Sequence, residues 1–85
     1  MIDKKVQGAF NAQVTEELES AYIYLSMSAW LSASGYDGMS AWMRVQFEEE
    51  MVHALKFFDH INARAGKVEL QKIKQPKVAW TSPLE

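Results

Sequence analysis

The sequence predicts an all-α fold, a long antiparallel helical hairpin. Two stretches of helical apolar periodicity, each of roughly thirty residues, carry that reading. Neither holds a proline; the first has a single glycine, Gly8, near its start, and the second has none in its interior. The break between them, Gly35-Tyr36-Asp37-Gly38, is short. A short turn makes neighbouring helices antiparallel.

The whole chain narrows the function classes. Its 85 residues allow one small domain. Apolar residues make up 48 %, so it is not a disordered tail. A formal net charge of −2 gives no basic footprint for nucleic acid. With no cysteine there are neither disulfides nor thiol chemistry, which fits a reducing compartment. The uncharged run 20–36 is Ser-rich, contains Gly35 and falls short of a membrane span. The first residues, Met1-Ile2-Asp3-Lys4-Lys5, show no apolar signal region. The expectation is a soluble cytoplasmic protein with neither a nucleic-acid nor a membrane partner.

The first helix is expected over about 3–34, where Phe10, Val14, Ala21, Tyr24, Ser28 and Leu31 recur at helical spacing. At ~1.5 Å per residue it would be about 45 Å long, a length that suits a bundle. Asp37 is the expected N-cap of the second helix, over about 38–65. Met39, Trp42, Met43, Gln46, Glu50, His53, Phe57 and Ile61 mark its successive turns. Gly66 reads as the residue just past its end, with Arg64 in the last turn. Residues 66–81 then read as an extended crossover on the outside of a bundle. Val68-Glu69-Leu70 alternates, Lys72, Lys74 and Lys77 are exposed charges, and Pro76 bars a helix. Ser82, Pro83 and Glu85 have the spacing of a capping box with a first-turn proline, the start of a third helix. On that signal the 85 residues read as a piece of a longer chain.

The chemistry centres on Glu50-Met51-Val52-His53. Three residues advance a helix by about 300°, so Glu50 and His53 share a face one turn apart. A carboxylate beside an imidazole suits a first-row metal such as iron, and equally an ordinary solvated helical pair. Glu17 adds weight to the first reading. It falls in the middle of the first helix's apolar stripe, between Phe10, Ala21, Tyr24 and Leu31. A carboxylate among core positions is costly unless paired, protonated or bound to a metal. Glu17 and Glu50 each lie about halfway along their helices, so antiparallel packing lets Glu17, Glu50 and His53 converge. Either a metal site or a buried Glu–His hydrogen bond, with Tyr24 as third partner, would satisfy them. Tyr24 is placed either to orient a ligand carboxylate through its hydroxyl or to serve as a core tyrosine. Glu49 lies ~100° from Glu50 and could flank an adjacent, weaker site, while Glu48 reads as solvated. His60 is ~10 Å along the axis from His53 and reads as structural or surface. Trp30 and Trp42 read as packing residues.

The chain resembles the N-terminal half of a bacterial or archaeal non-haem ferritin. Glu17 and Tyr24, Ser28-Ala29-Trp30, the run from Phe47 to His53, and Gly66-Lys67-Val68-Glu69-Leu70 followed by Pro76 and Thr81-Ser82-Pro83-Leu84-Glu85 carry the resemblance. It implies half of a ferritin-like four-helix bundle, whose di-iron site takes a Glu from each of two helices and Glu-x-x-His from each of the others. It further implies a ferroxidase that oxidises Fe(II) with dioxygen at a di-iron centre and stores ferric mineral in a cage of identical subunits. On that resemblance Glu17, Glu50 and His53 would bind one iron, with Glu50 bridging to a second. Tyr24 would sit beside the centre, and Glu49 would serve an accessory iron site. The acidic ligands expected from the third and fourth helices lie outside these residues. Met51 matches a haem-ligating position of bacterioferritins, but non-haem ferritins show the same four residues, so haem is not expected. The alternatives are another di-iron enzyme of the same architecture, such as a rubrerythrin-like peroxidase, and a metal-free helical assembly module. No Cys-x-x-Cys iron site speaks for the former.

Overall fold

The structure, a computed structural model, describes residues 1–83. Two helices, α1 (Lys4–Ala33) and α2 (Asp37–Ala63), pack side by side along their whole length. The Asp3 carboxylate starts α1, accepting from the amides of Lys5 at 2.7 Å and Val6 at 3.4 Å. Gly35 ends it. Its φ of 86° is left-handed, a conformation that costs glycine little. Its amide donates to the Ser32 carbonyl, and the Tyr36 amide donates to that of Leu31. These two bonds satisfy carbonyls the helix leaves open and turn the chain back.

Two expectations about helix ends are corrected. Asp37 is not the N-cap of α2 but its first helical residue; the N-cap is Tyr36, whose side chain makes no capping bond. The Asp37 charge is still well placed, in the positive first turn of the helix. At the other end the left-handed residue is Ala65, with φ 56°, not Gly66. The Ala65 amide donates to the Asn62 carbonyl and the Gly66 amide to that of Ile61, so the stop motif sits one residue earlier than glycine placement suggested. Gly66 is required for another reason. A Cβ there would lie 2.8 Å from Cγ2 of both Ile2 and Ile61 and 3.0 Å from Gln7 Oε1. The first residues also close over this end, with the Ile2 amide donating to the Arg64 carbonyl at 3.0 Å.

The interface follows a seven-residue repeat. Val14, Ala21 and Ser28 are buried on α1; Ser40, Ala54 and Ile61 are buried on α2, with half-buried Phe47 in the same series. Several of these are small, which lets the backbones approach closely. Near the turn the two serines bond reciprocally. Ser28 Oγ donates to the Ser40 carbonyl at 2.9 Å, and Ser40 Oγ donates to the Ser28 carbonyl at 2.7 Å. The adjacent series, Phe10, Glu17, Tyr24 and Leu31 facing Met43, Glu50 and Phe57, contains both carboxylates.

Residues 67–80 run as an extended tape beside α1, in the same direction. Gln7 Oε1 accepts from the Lys67 amide, and Asn11 Oδ1 accepts from the Glu69 amide. Ser26 Oγ donates to the Lys77 carbonyl, and the Trp30 and Trp80 rings meet edge to face at 5.7 Å. The tape covers one flank of α1 and, near the turn, its end at Trp80, Ser82 and Pro83 lines a cavity with Leu31, Met39 and Met43. Trp42, expected to pack, is 59 % exposed: two helices cover only one side of each other. The helix start expected at Ser82-Pro83 runs into Leu84 and Glu85, which lie outside the described residues.

Candidate metal centre

The hairpin brings together the three residues singled out from spacing. Glu17, from the middle of α1, and Glu50 and His53, from the middle of α2, each offer one donor atom, all within 4.8 Å of one another. Among the described residues this is the one group of three or more such side chains. His53 Nδ1 lies 3.5 Å from Glu17 Oε2 and 3.8 Å from Glu50 Oε2. Donors bound to one ion at ~2.1 Å stand about 3.0 to 4.2 Å apart, depending on the angle between them. Both distances lie in that range, so the donor set fits a first-row cation with little movement. Two carboxylates and one imidazole form a hard, borderline set suited to iron.

The electrostatics show what brings the carboxyls together. The first cause of the Glu17 shift is a hydrogen bond with Glu50, which holds its carboxyl below the ordinary range. Gln13 and His53 act in the same direction, and burial opposes them. Glu50 moves the opposite way, first through the same bond, then through burial and the Glu17 charge. As pH falls, Glu50 is thus the first of the two to take a proton, while Glu17 stays anionic longer. Two carboxylates this close cannot both stay ionised without a counter-charge. A divalent cation bound here would supply such a counter-charge.

Gln13 was missed in the sequence. Its Nε2 donates to Glu17 Oε1 at 2.9 Å, which fixes the carboxylate with its other oxygen toward His53. The signal was present: a glutamine one turn before an inward-facing glutamate. Phe10 fixes one end of the cleft, meeting Phe57 at 5.5 Å and His60 at 4.7 Å, both edge to face. His60 is thus a packing residue. The cleft itself is open, lined by Phe10, Glu17, His53, Lys56, Phe57 and His60, and the His53 side chain is half exposed.

Tyr24 is half-buried one helical repeat from Glu17, and among the described residues its hydroxyl has no hydrogen-bond partner. Glu49 is exposed and outside the group of three. Met51 is half-buried elsewhere, facing Leu18, Tyr22 and Phe47 beneath Gln71 and Ile73 of the tape.

Residues 7–85 match the family described as a ferritin-like domain. The bacterial non-heme ferritin of Bacteroides fragilis is 40 % identical over all 85 residues, which span 54 % of that protein. That of Campylobacter jejuni is 36 % identical over the same residues and 51 % of its own length. Among solved structures, an open-pore ferritin from the archaeon Archaeoglobus fulgidus superposes with a TM-score of 0.92 at 44 % identity, over 99 % of this chain and 52 % of that one. Chlorobium tepidum ferritin gives 0.87 at 36 % identity, over 96 % and 50 %. The chain spans about half the length of the curated relatives it matches.

Proposed function

The chain belongs to the ferritin-like family, and on that premise we propose that Glu17, Glu50 and His53 bind ferrous iron for oxidation by dioxygen, as part of iron storage and detoxification. The convergence of these three donors carries the reading. Iron is substrate here. Carboxylate ligands favour the ferric state, because hard anions stabilise the higher charge more. Reducing dioxygen by two electrons takes one from each of two ferrous ions, so a second ion must lie beside the first, with Glu50 as the bridging carboxylate.

The residues have distinct tasks. Glu17, held by Gln13, stays anionic and recruits the cation. Glu50, whose carboxyl is raised by Glu17 and by burial, is the position where a proton competes with the cation. His53, half exposed, guards the solvent side and leaves room for oxygen and for product to depart. Tyr24, one helical repeat from Glu17, orients a ligand carboxylate through its hydroxyl, and Glu49 offers a weaker accessory position. Storage of the ferric product in a cytoplasmic cage of identical subunits belongs to the same reading. The test is anaerobic titration with Fe(II), followed by air. Saturable binding, then oxidation faster than in buffer, is expected. A chain that binds no Fe(II) beyond a Glu17→Ala, Glu50→Ala double variant would end this reading.

A further inference from the structure

We propose that Gln13 is a positioning residue that sets which metal ions the site accepts. By occupying one oxygen of Glu17, it leaves that carboxylate a single oxygen with which to bind. This rests on the iron-binding reading of Glu17, Glu50 and His53. Three observations carry it.

The first is the division of the Glu17 carboxylate. Its Oε1 accepts from Gln13 Nε2 at 2.9 Å, while its Oε2 lies 3.5 Å from His53 Nδ1. The two oxygens therefore face different partners. To grip an ion with both, the carboxylate would have to turn about its last bond and give up Gln13. A hydrogen bond to an ionised oxygen is among the stronger kinds, so that turn costs about tenfold in affinity.

The second is where this tether is anchored. Gln13 and Glu17 stand one turn apart on α1, and Gln13 is half-buried. Both ends of the bond belong to one continuous helix, so its geometry follows from the helical repeat and from no neighbouring element. The Glu17 side chain is only 17 % exposed, so little water competes with the amide for Oε1.

The third is the contrast with Glu50. Gln46 precedes Glu50 by the same four residues and is half-buried too. Among the described residues, however, it makes no hydrogen bond to Glu50. Glu50 Oε2 lies 3.8 Å from His53 Nδ1, and no amide holds the other oxygen. The same pair of residues is thus tied on one helix and loose on the other. Glu50 keeps both oxygens available, as a carboxylate between two ions needs. Glu17 is restricted to one, as a ligand of a single ion.

The consequence is selectivity. The two oxygens of one carboxylate stand only ~2.2 Å apart, whereas neighbouring donors around a small octahedral ion stand about 3.0 Å apart. Fe(II) is therefore well served by one oxygen in a fixed direction. Larger oxygen-seeking ions such as Ca(II) gather more ligands and use two-oxygen grips to do so. Gln13 withholds that grip from them.

The experiment titrates the protein anaerobically with Fe(II) and, separately, with Tb(III), an oxygen-seeking ion close to Ca(II) in size whose luminescence reports binding. Gln13→Met keeps the length and bulk of the side chain and removes the donor. Gln13→Asn keeps the amide but is one carbon too short to reach. All proteins are compared at a temperature where circular dichroism shows them fully folded. In both variants the ratio of Fe(II) to Tb(III) affinity should fall by at least about fivefold, since Fe(II) loses a preset oxygen and Tb(III) gains a second one. Infrared difference spectra of the Tb(III)-loaded proteins should agree. The gap between the two carboxylate stretches is wide when one oxygen binds and narrow when both do, so both variants should gain a narrow pair of bands over the parent. A ratio that changes by less than this, whether both affinities fall together or neither moves, would make Gln13 a mere support of the helix and overturn the proposal. That result would leave the iron-binding reading standing. A parent protein that binds no Fe(II) would end that reading and this proposal together.

Discussion

Ala65 and Gly66 are neighbours for which the structure demands opposite substitutions. Ala65 holds a left-handed backbone, φ 56°, that costs an L-residue roughly 1–2 kcal/mol. Glycine removes that strain but gives up about 0.4–1 kcal/mol through a more flexible unfolded chain. Ala65→Gly should therefore stabilise by about 0.5–1 kcal/mol. Gly66 has no such backbone, so Gly66→Ala would ordinarily stabilise by that same entropic effect. Here the new methyl would meet Ile2 and Ile61 at 2.8 Å and Gln7 Oε1 at 3.0 Å. Ile61 is fully buried and cannot yield, and Gln7 is held by the Lys67 amide. Overpacking of this kind costs about 1–3 kcal/mol, which outweighs the entropic gain. Thermal unfolding followed by circular dichroism at one fixed protein concentration reads both. For a domain of this size Ala65→Gly should raise the midpoint by about 2–8 °C, and Gly66→Ala should lower it by about 4–12 °C. If Gly66 were the left-handed residue, Ala65 would be helical and Ala65→Gly would cost about 1 kcal/mol. A lowered midpoint for Ala65→Gly would refute the register of this helix end.

Other substitutions probe the site. Glu50→Ala should weaken Fe(II) binding at least a hundredfold in an anaerobic titration, whereas Glu49→Ala should change it by less than about fivefold; equal losses would contradict the face assignment. Tyr24→Phe should leave iron binding within about twofold and alter the rate of oxidation by air, because it removes one hydroxyl and keeps the ring; lost binding would make Tyr24 a direct ligand. Glu50, raised above the ordinary range, keeps its proton to higher pH than Glu17, and iron must displace it. Affinity should therefore fall as pH drops through the Glu50 value, by about tenfold per unit below it; a pH-independent affinity would show that no proton is exchanged there. Ile61→Ala, at the one large side chain with no exposure among the described residues, should cost about 2–5 kcal/mol in urea unfolding.

The helices and the three donors were legible in the sequence because both follow the helical period. Glu17 stood out as a carboxylate on an apolar stripe, and Glu50 and His53 by their spacing. What the period could not show was set by contacts across the hairpin or along the tape. The Ser28–Ser40 exchange depends on the depth of the turn, which fixes which residues of α1 and α2 face each other. The end of α2 was placed one residue late because glycine usually marks that position. Here the glycine answers to crowding by Ile2 and Ile61, residues distant in the chain. Trp42 was assigned to packing because an apolar residue at helical spacing tells that it faces something, not whether that something is present.

The two ends of the hairpin act on the donors as clamps act on a beam. One clamp is the serine exchange, and the other is the closure of Ile2, Ile61 and Gly66. Glu17 lies eleven residues from Ser28 and Glu50 eleven from Ile61, about 16 Å of helix in each case. Over that lever arm, a swing of about 5° at either end would move a carboxylate by about 1.4 Å. Metal–ligand bonds tolerate only about 0.2 Å. Held at one end alone, the helices could scissor far outside that tolerance. Pinned at both, the midpoint of each helix has little freedom left, and the donors stand there.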